Sequence, residues 1–212
     1  MESYIKKYIS RRRAGKTGEA GFTLIEMLAV VGVMVLVSSL ILANNSRFGG
    51  TVLLQNLAYE VALSVRQAQV YGISVRRFGE AEVAEYAPAY GVRFLAPSDQ
   101  QSDARNGYVL FADLAAFANG KYDGEPELVQ SLRLLSGYRI ANLYVTDIDT
   151  GAEVSVQRID ISFRRPNPDA YIVQGLDEID DEIQQSARIE LASPREESIS
   201  IVVDANGQIS VQ

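Results

Sequence analysis

The chain has 212 residues, 47% hydrophobic and 22% charged, enough for one domain with a packed core plus appendages. It contains neither cysteine nor histidine, which excludes disulfides, thiolate metal sites, imidazole acid–base chemistry and His-based triads. The net charge of −7 is unevenly spread: residues 1–21 hold six basic against two acidic side chains, and the remainder 14 basic against 25 acidic. Such an acidic remainder disfavours a nucleic-acid partner, and none is expected.

Met1–Gly21 reads as a basic leader, with a retained cytoplasmic tail as the alternative. Basic residues before an apolar span predict a cytoplasmic N-terminus and a translocated remainder. From Phe22 to Ala43 the only charged side chain is Glu26, and there is no proline. As a helix these 22 residues extend roughly 33 Å, enough to cross a hydrocarbon core. A carboxylate in lipid costs up to about 3 kcal/mol at the helix centre and calls for a partner. A secretory signal peptide cut near Val37-Ser38-Ser39 fits less well, because the apolar run continues through Leu42.

Gly21 followed by Phe22-Thr23-Leu24-Ile25-Glu26-Met27-Leu28 resembles the type IV prepilin processing and methylation signal, with the likeness covering roughly residues 15–45. The resemblance implies that a prepilin peptidase cuts between Gly21 and Phe22 on the cytoplasmic side and then methylates the new amine of Phe22. It further implies that Glu26 meets the Phe amine of a neighbouring subunit as an assembly contact. The partners implied are the peptidase, other pilin or pseudopilin subunits, an inner-membrane assembly platform, and lipid before assembly.

Gly49-Gly50 weakens helix by about 1 kcal/mol per glycine relative to alanine. Either a local unwinding point or a helix end, with a second helix starting near Thr51, is expected there. Over Thr51–Tyr71, Leu54, Leu57, Val61, Val65 and Ala68 form one apolar stripe for packing on a sheet, with Glu60, Arg66 and Gln69 on other faces. Gly72 stands where a C-terminal cap belongs. The run from Leu57-Ala58 through Arg66, Ala68, Gly72 and Val75 is similar to the equivalent helix of H-type minor pseudopilins.

Beyond Ile73 the periodicity turns to alternation. Strands are expected around Tyr90–Phe94, Tyr108–Phe111, Leu128–Leu134, Tyr138–Val145 and Ile159–Phe163, with Val154 and Val156 extending the last of these. Asp113–Phe117 suggests a short helical turn. Asn119-Gly120, Asp123-Gly124, Thr150-Gly151 and Pro166-Asn167-Pro168-Asp169 mark turns. Ile199, Ile201 and Val203, then Asp204-Ala205-Asn206-Gly207, then Ile209 and Val211 predict a terminal hairpin. The Asp204-x-Asn206-Gly207 run lacks the spacing of an EF-hand.

Asp177, Glu178, Asp180, Asp181 and Glu182 crowd five carboxylates into six residues. Asp177, Asp180 and Asp181 are weak calcium candidates; a solvated loop is favoured and no metal is assigned. G-type major pseudopilins have a calcium-binding loop, but its pattern is not matched here residue by residue.

The expected class is α+β. A long N-terminal helix, transmembrane in its first half and amphipathic in its second, packs on a mainly antiparallel, pilin-like sheet. The expected divisions are a leader at 1–21, a helix at 22–72 spanning the membrane over 22–43, and a β-rich head at 73–212. The resemblance implies a structural subunit of a type IV pilus or type II secretion pseudopilus. A single-pass membrane precursor with an extracytoplasmic head would pass into the filament. Without cysteines for a disulfide-bounded loop, and with Glu26 present where K-type subunits typically lack it, a minor pilin or H-type pseudopilin is preferred. The alternative is an uncleaved, membrane-anchored extracytoplasmic binding module. Glycoside hydrolysis needs two carboxylates at a set separation, and no such pair stands out, so no enzyme and no cofactor is expected.

Overall fold

A computed structural model describes residues 21–74, 76–79, 85–86, 89–96, 106–114, 119–174 and 183–212, with the backbone alone of 43–49 and 85–86. The chain divides into two units, Met1–Asn45 and Ser46–Gln212. The class is α+β: one apolar N-terminal helix and two five-stranded antiparallel sheets.

Helix α1 spans Leu24–Ile73, and Gly49-Gly50 lies inside it as helix rather than at an end. In the second unit its predicted stripe is the buried one: Leu54, Leu57, Val61, Val65 and Ala68, joined by Ala58, all lie in the core. Gln69 departs from expectation. Instead of standing on an outer face it is buried, where it donates from Nε2 to the Pro168 and Gly207 carbonyls at 2.8 and 3.0 Å. Gly72 is not a left-handed cap either. A Cβ at this position would stand 2.2 Å from the Phe163 carbonyl oxygen, so glycine lets the helix backbone approach a strand.

Sheet I has the order β5 (Leu128–Arg133), β4 (Gly107–Asp113), β3 (Ala89–Leu95), β8 (Arg158–Arg164), β9 (Ala170–Gln174). Sheet II has the order β12 (Ile209–Val211), β11 (Ser198–Asp204), β10 (Gln184–Ala192), β6 (Arg139–Asp147), β7 (Glu153–Val156). A two-residue ladder, β1 (Arg77–Phe78) with β2 (Glu85–Tyr86), stands apart from both. Val92, Phe94, Leu110, Ile159, Ile161 and Phe163 from sheet I join Ile140, Leu143, Ile189, Leu191, Ile201 and Val203 from sheet II in one core. Alternation assigns these residues inward and their neighbours outward. A Val173–Ile183 bridge stitches β9 to the approach of β10.

Val154 and Val156 do not extend the Ile159 strand. They form β7 in sheet II, while β8 belongs to sheet I. The reason is a phase change: the apolar positions are even-numbered up to Val156 and odd-numbered from Ile159, so one unbroken strand would point the two sets to opposite faces. The chain changes sheets at Gln157, whose carbonyl accepts the Ala96 N–H at 2.7 Å. The terminal hairpin forms as expected, with Val203 opposite Ile209. Of the turn expected over Asp113–Phe117, Asp113 ends β4 and residues 115–118 lie outside the described residues.

Candidate processing segment and a buried carboxylate cluster

In the N-terminal unit, Gly21, Phe22 and Thr23 precede the helix and are exposed. Thr23 starts it. Its Oγ1 accepts the Glu26 N–H at 3.2 Å, and its carbonyl accepts the Glu26 and Met27 N–H groups at 3.1 Å. Thr-x-x-Glu is the capping-box spacing, and an acid in the first turn also complements the helix dipole. The spacing thus puts the Glu26 backbone N–H where Thr23 caps it. Leu24–Leu42 has a mean hydropathy of 2.5 over 19 residues, and none of it is buried within the chain. Its length and composition suffice to cross a membrane, compatible with a single-pass anchor. Within it Ser39 donates to the Val35 carbonyl at 2.7 Å, which satisfies its hydroxyl inside the helix.

The C-terminal unit holds a cluster that the sequence reading missed. The strap Asn119–Glu127, which follows β4 and ends in a 3-10 turn at Glu125–Glu127, lies on the outer face of sheet I. Three carboxylates grip its backbone. Asp113 Oδ2 accepts the Gly120 N–H at 2.9 Å, Asp160 accepts a backbone bond from Tyr122, and Glu127 Oε2 accepts the Asp123 N–H at 2.8 Å. Glu127 Oε1 also accepts the Leu114 N–H at 3.1 Å. All three acids are buried.

Their charges are unevenly compensated. Arg93 stands opposite Asp160 in the β3–β8 register and binds it bidentately at 2.6 and 2.8 Å, with Arg158 Nε at 3.5 Å. Burial pushes the Asp160 carboxyl up, and Arg93 opposes that. Among the described residues Asp113 has one guanidinium, Arg164, at 3.9 Å, and its buried Oδ1 has no hydrogen-bond partner. Burial raises both Asp113 and Glu127 above the ordinary carboxylate range. Gly120 has a φ of 79°, and a Cβ there would sit 2.6 Å from the Tyr171 ring, so the strap rests directly on that ring. Tyr122 packs 5.8 Å from Phe111 and under Arg93 at 5.1 Å.

This arrangement holds the strap in place on sheet I. A separate depression of about 360 Å³ is lined by Ala96, Ala141, Asn142, Leu143, Ser155, Val156 and Gln157, none of which titrates. Among the described residues no group of three acids is placed to hold a metal ion. Gly21, Phe22 and Glu26 lie together at the start of α1, whereas Asp177, Asp180 and Asp181 lie outside the described residues. One signal for the missed cluster was available: Arg93 and Asp160 are opposite charges at outward positions in the middle of two apolar alternating strands. No protein-family model, no curated protein and no solved structure matches the chain.

Proposed function

We propose that the chain is a filament subunit precursor of the type IV pilin and type II secretion pseudopilin kind, cut between Gly21 and Phe22 and methylated on Phe22. The observation that carries this reading is the run Gly21–Glu26 leading into the 19-residue apolar stretch Leu24–Leu42, none of which is buried among the described residues. Such a helix needs an apolar environment, lipid before assembly and neighbouring helices afterwards. The head is exported, the leader stays cytoplasmic, and Glu26 pairs with the amine of a neighbouring Phe22. A minor pilin or H-type subunit is the preferred kind.

The Thr23 cap on the Glu26 N–H favours a second reading, an uncleaved anchor carrying an extracytoplasmic binding module, because it gives Thr23 a role without processing. Intact mass separates the two: a subunit loses residues 1–21 and gains one methyl group, and an anchor does neither. Glu26→Gln then isolates the charge, since glutamine also completes a capping box. The variant should insert in the membrane normally yet enter filaments poorly. Normal incorporation would overturn the charge pairing.

A further inference from the structure

We propose that the Asn119–Glu127 strap is a proton-linked element, seated on the outer face of sheet I while the Asp113–Glu127 carboxyl pair holds a proton and loosened when both are ionised. The geometry is that of two anchors in one dry site. Asp113 grips the strap at Gly120 and Glu127 grips it at Asp123, and both side chains are at 0% exposure. A carboxylate removed from water without full compensation is costly. Asp160, the third anchor, has two guanidinium partners; Asp113 has Arg164 at 3.9 Å, whose side chain is 56% exposed.

The atoms accommodate a proton without breaking the grip. Asp113 Oδ1 has no hydrogen-bond partner, so it takes the proton while Oδ2 still accepts from Gly120. The charged groups acting on the pair are Arg164 on β8 and Asp123 on the strap, with Arg93, Asp160 and Arg158 next along the sheet; Lys121 is also buried on the strap. Burial raises both carboxyls first, the strap N–H bonds and, at Asp113, Arg164 oppose it, and Asp123 adds to it. The seated strap therefore binds protons more tightly than the released one. Its attachment is complete below the ordinary carboxylate range and is lost as pH rises through the raised values. Release would uncover the Tyr171 ring beneath Gly120 and the Phe111 ring beside Tyr122, giving the outer face of sheet I a pH-dependent aromatic surface.

The test is hydrogen exchange on the full chain in detergent micelles, corrected for intrinsic rates, between about pH 5 and about pH 8. Protection over 119–127 should fall with rising pH by up to about tenfold per unit, while β10 stays unchanged. Asp113→Asn, which keeps an acceptor for Gly120 and removes the charge, should flatten that dependence. In the unaltered protein, carboxyl carbon NMR should show Asp113 or Glu127 titrating well above about 4. Protection that is level with pH, or both carboxyls ionising at ordinary values, would overturn the proposal.

Discussion

Leu24–Leu42 carries 19 residues of mean hydropathy 2.5 with none buried, whereas Val92, Phe94, Ile159, Ile161 and Phe163 in the second unit all lie at 0% exposure. Both regions are rich in aliphatic side chains, so composition alone does not distinguish them. What differs is how each meets its surroundings. The strands alternate and close on one another and on the helix face Leu54–Ala68, so their apolar area is removed from water within the unit. The apolar helix has no such pattern and no part of it is buried among the described residues, which makes its composition a statement about its environment. The same contrast governs polar groups. The N-terminal helix keeps a single carboxylate near its first turn, while the second unit buries three and gives each a backbone donor.

The sharpest way to break this comparison is a matched pair of truncations. Phe163→Ala removes a fully buried ring that packs in the main core, and it should cost about 3–5 kcal/mol. Val33→Ala removes an exposed side chain and should leave thermal unfolding of the second unit unchanged. Calorimetry of the two variants in the same detergent checks both halves. Equal destabilisation by the two would show that the apolar helix does contribute to the folded unit.

Much of the architecture was readable because it is written in local periodicity. The helical stripe, the inward sets of β3, β8 and β11, and the last hairpin all follow from spacing. The partition into two sheets was not readable, since pairing such as β6 with β10 joins residues 37 to 53 positions apart. The phase change between Val156 and Ile159 was in the sequence all the same, and it marked the crossing from one sheet to the other. Gln69, Asp113 and Glu127 were obscured for a different reason. A polar residue looks solvated until its buried backbone partner is known, and those partners lie on distant or irregular segments. At the N-terminus the apolar helix was legible from its hydropathy, whereas the cap that Thr23 supplies at its start was not read.

A smaller effect tests the buried polar contacts. Gln69 ties α1 to the β8–β9 turn and the terminal hairpin through two carbonyls, and its own Oε1 accepts from Arg66. Gln69→Ala leaves the Pro168 and Gly207 carbonyls without this donor in a buried place and should cost about 1–3 kcal/mol. The loss should show as lower denaturation midpoints, with faster hydrogen exchange confined to the hairpin. Unchanged stability would mean that water replaces the amide there.

The smallest expected effect lies on the outer face of sheet II. Arg188 binds Glu153 bidentately at 2.7 Å and lies over the Tyr144 ring at 4.0 Å, but both charged side chains keep access to solvent. Such a pair is screened, and Arg188→Ala should cost below about 1 kcal/mol, less at high salt. Its pH sign is opposite to that of the strap. The Arg188 hydrogen bond holds the Glu153 carboxyl below its ordinary value, so the contribution is present above that value and lost as pH falls through the lowered one. Acid therefore weakens the outer face of sheet II while it tightens the strap on sheet I. Following protection of 119–127 and of β7 in one titration towards acid separates the two: the first should rise above the ordinary carboxylate range, and the second should fall only below it. If Arg188→Ala abolished the strap's response as well, the two faces would be coupled, and treating sheet I as an independent proton-linked surface would fail.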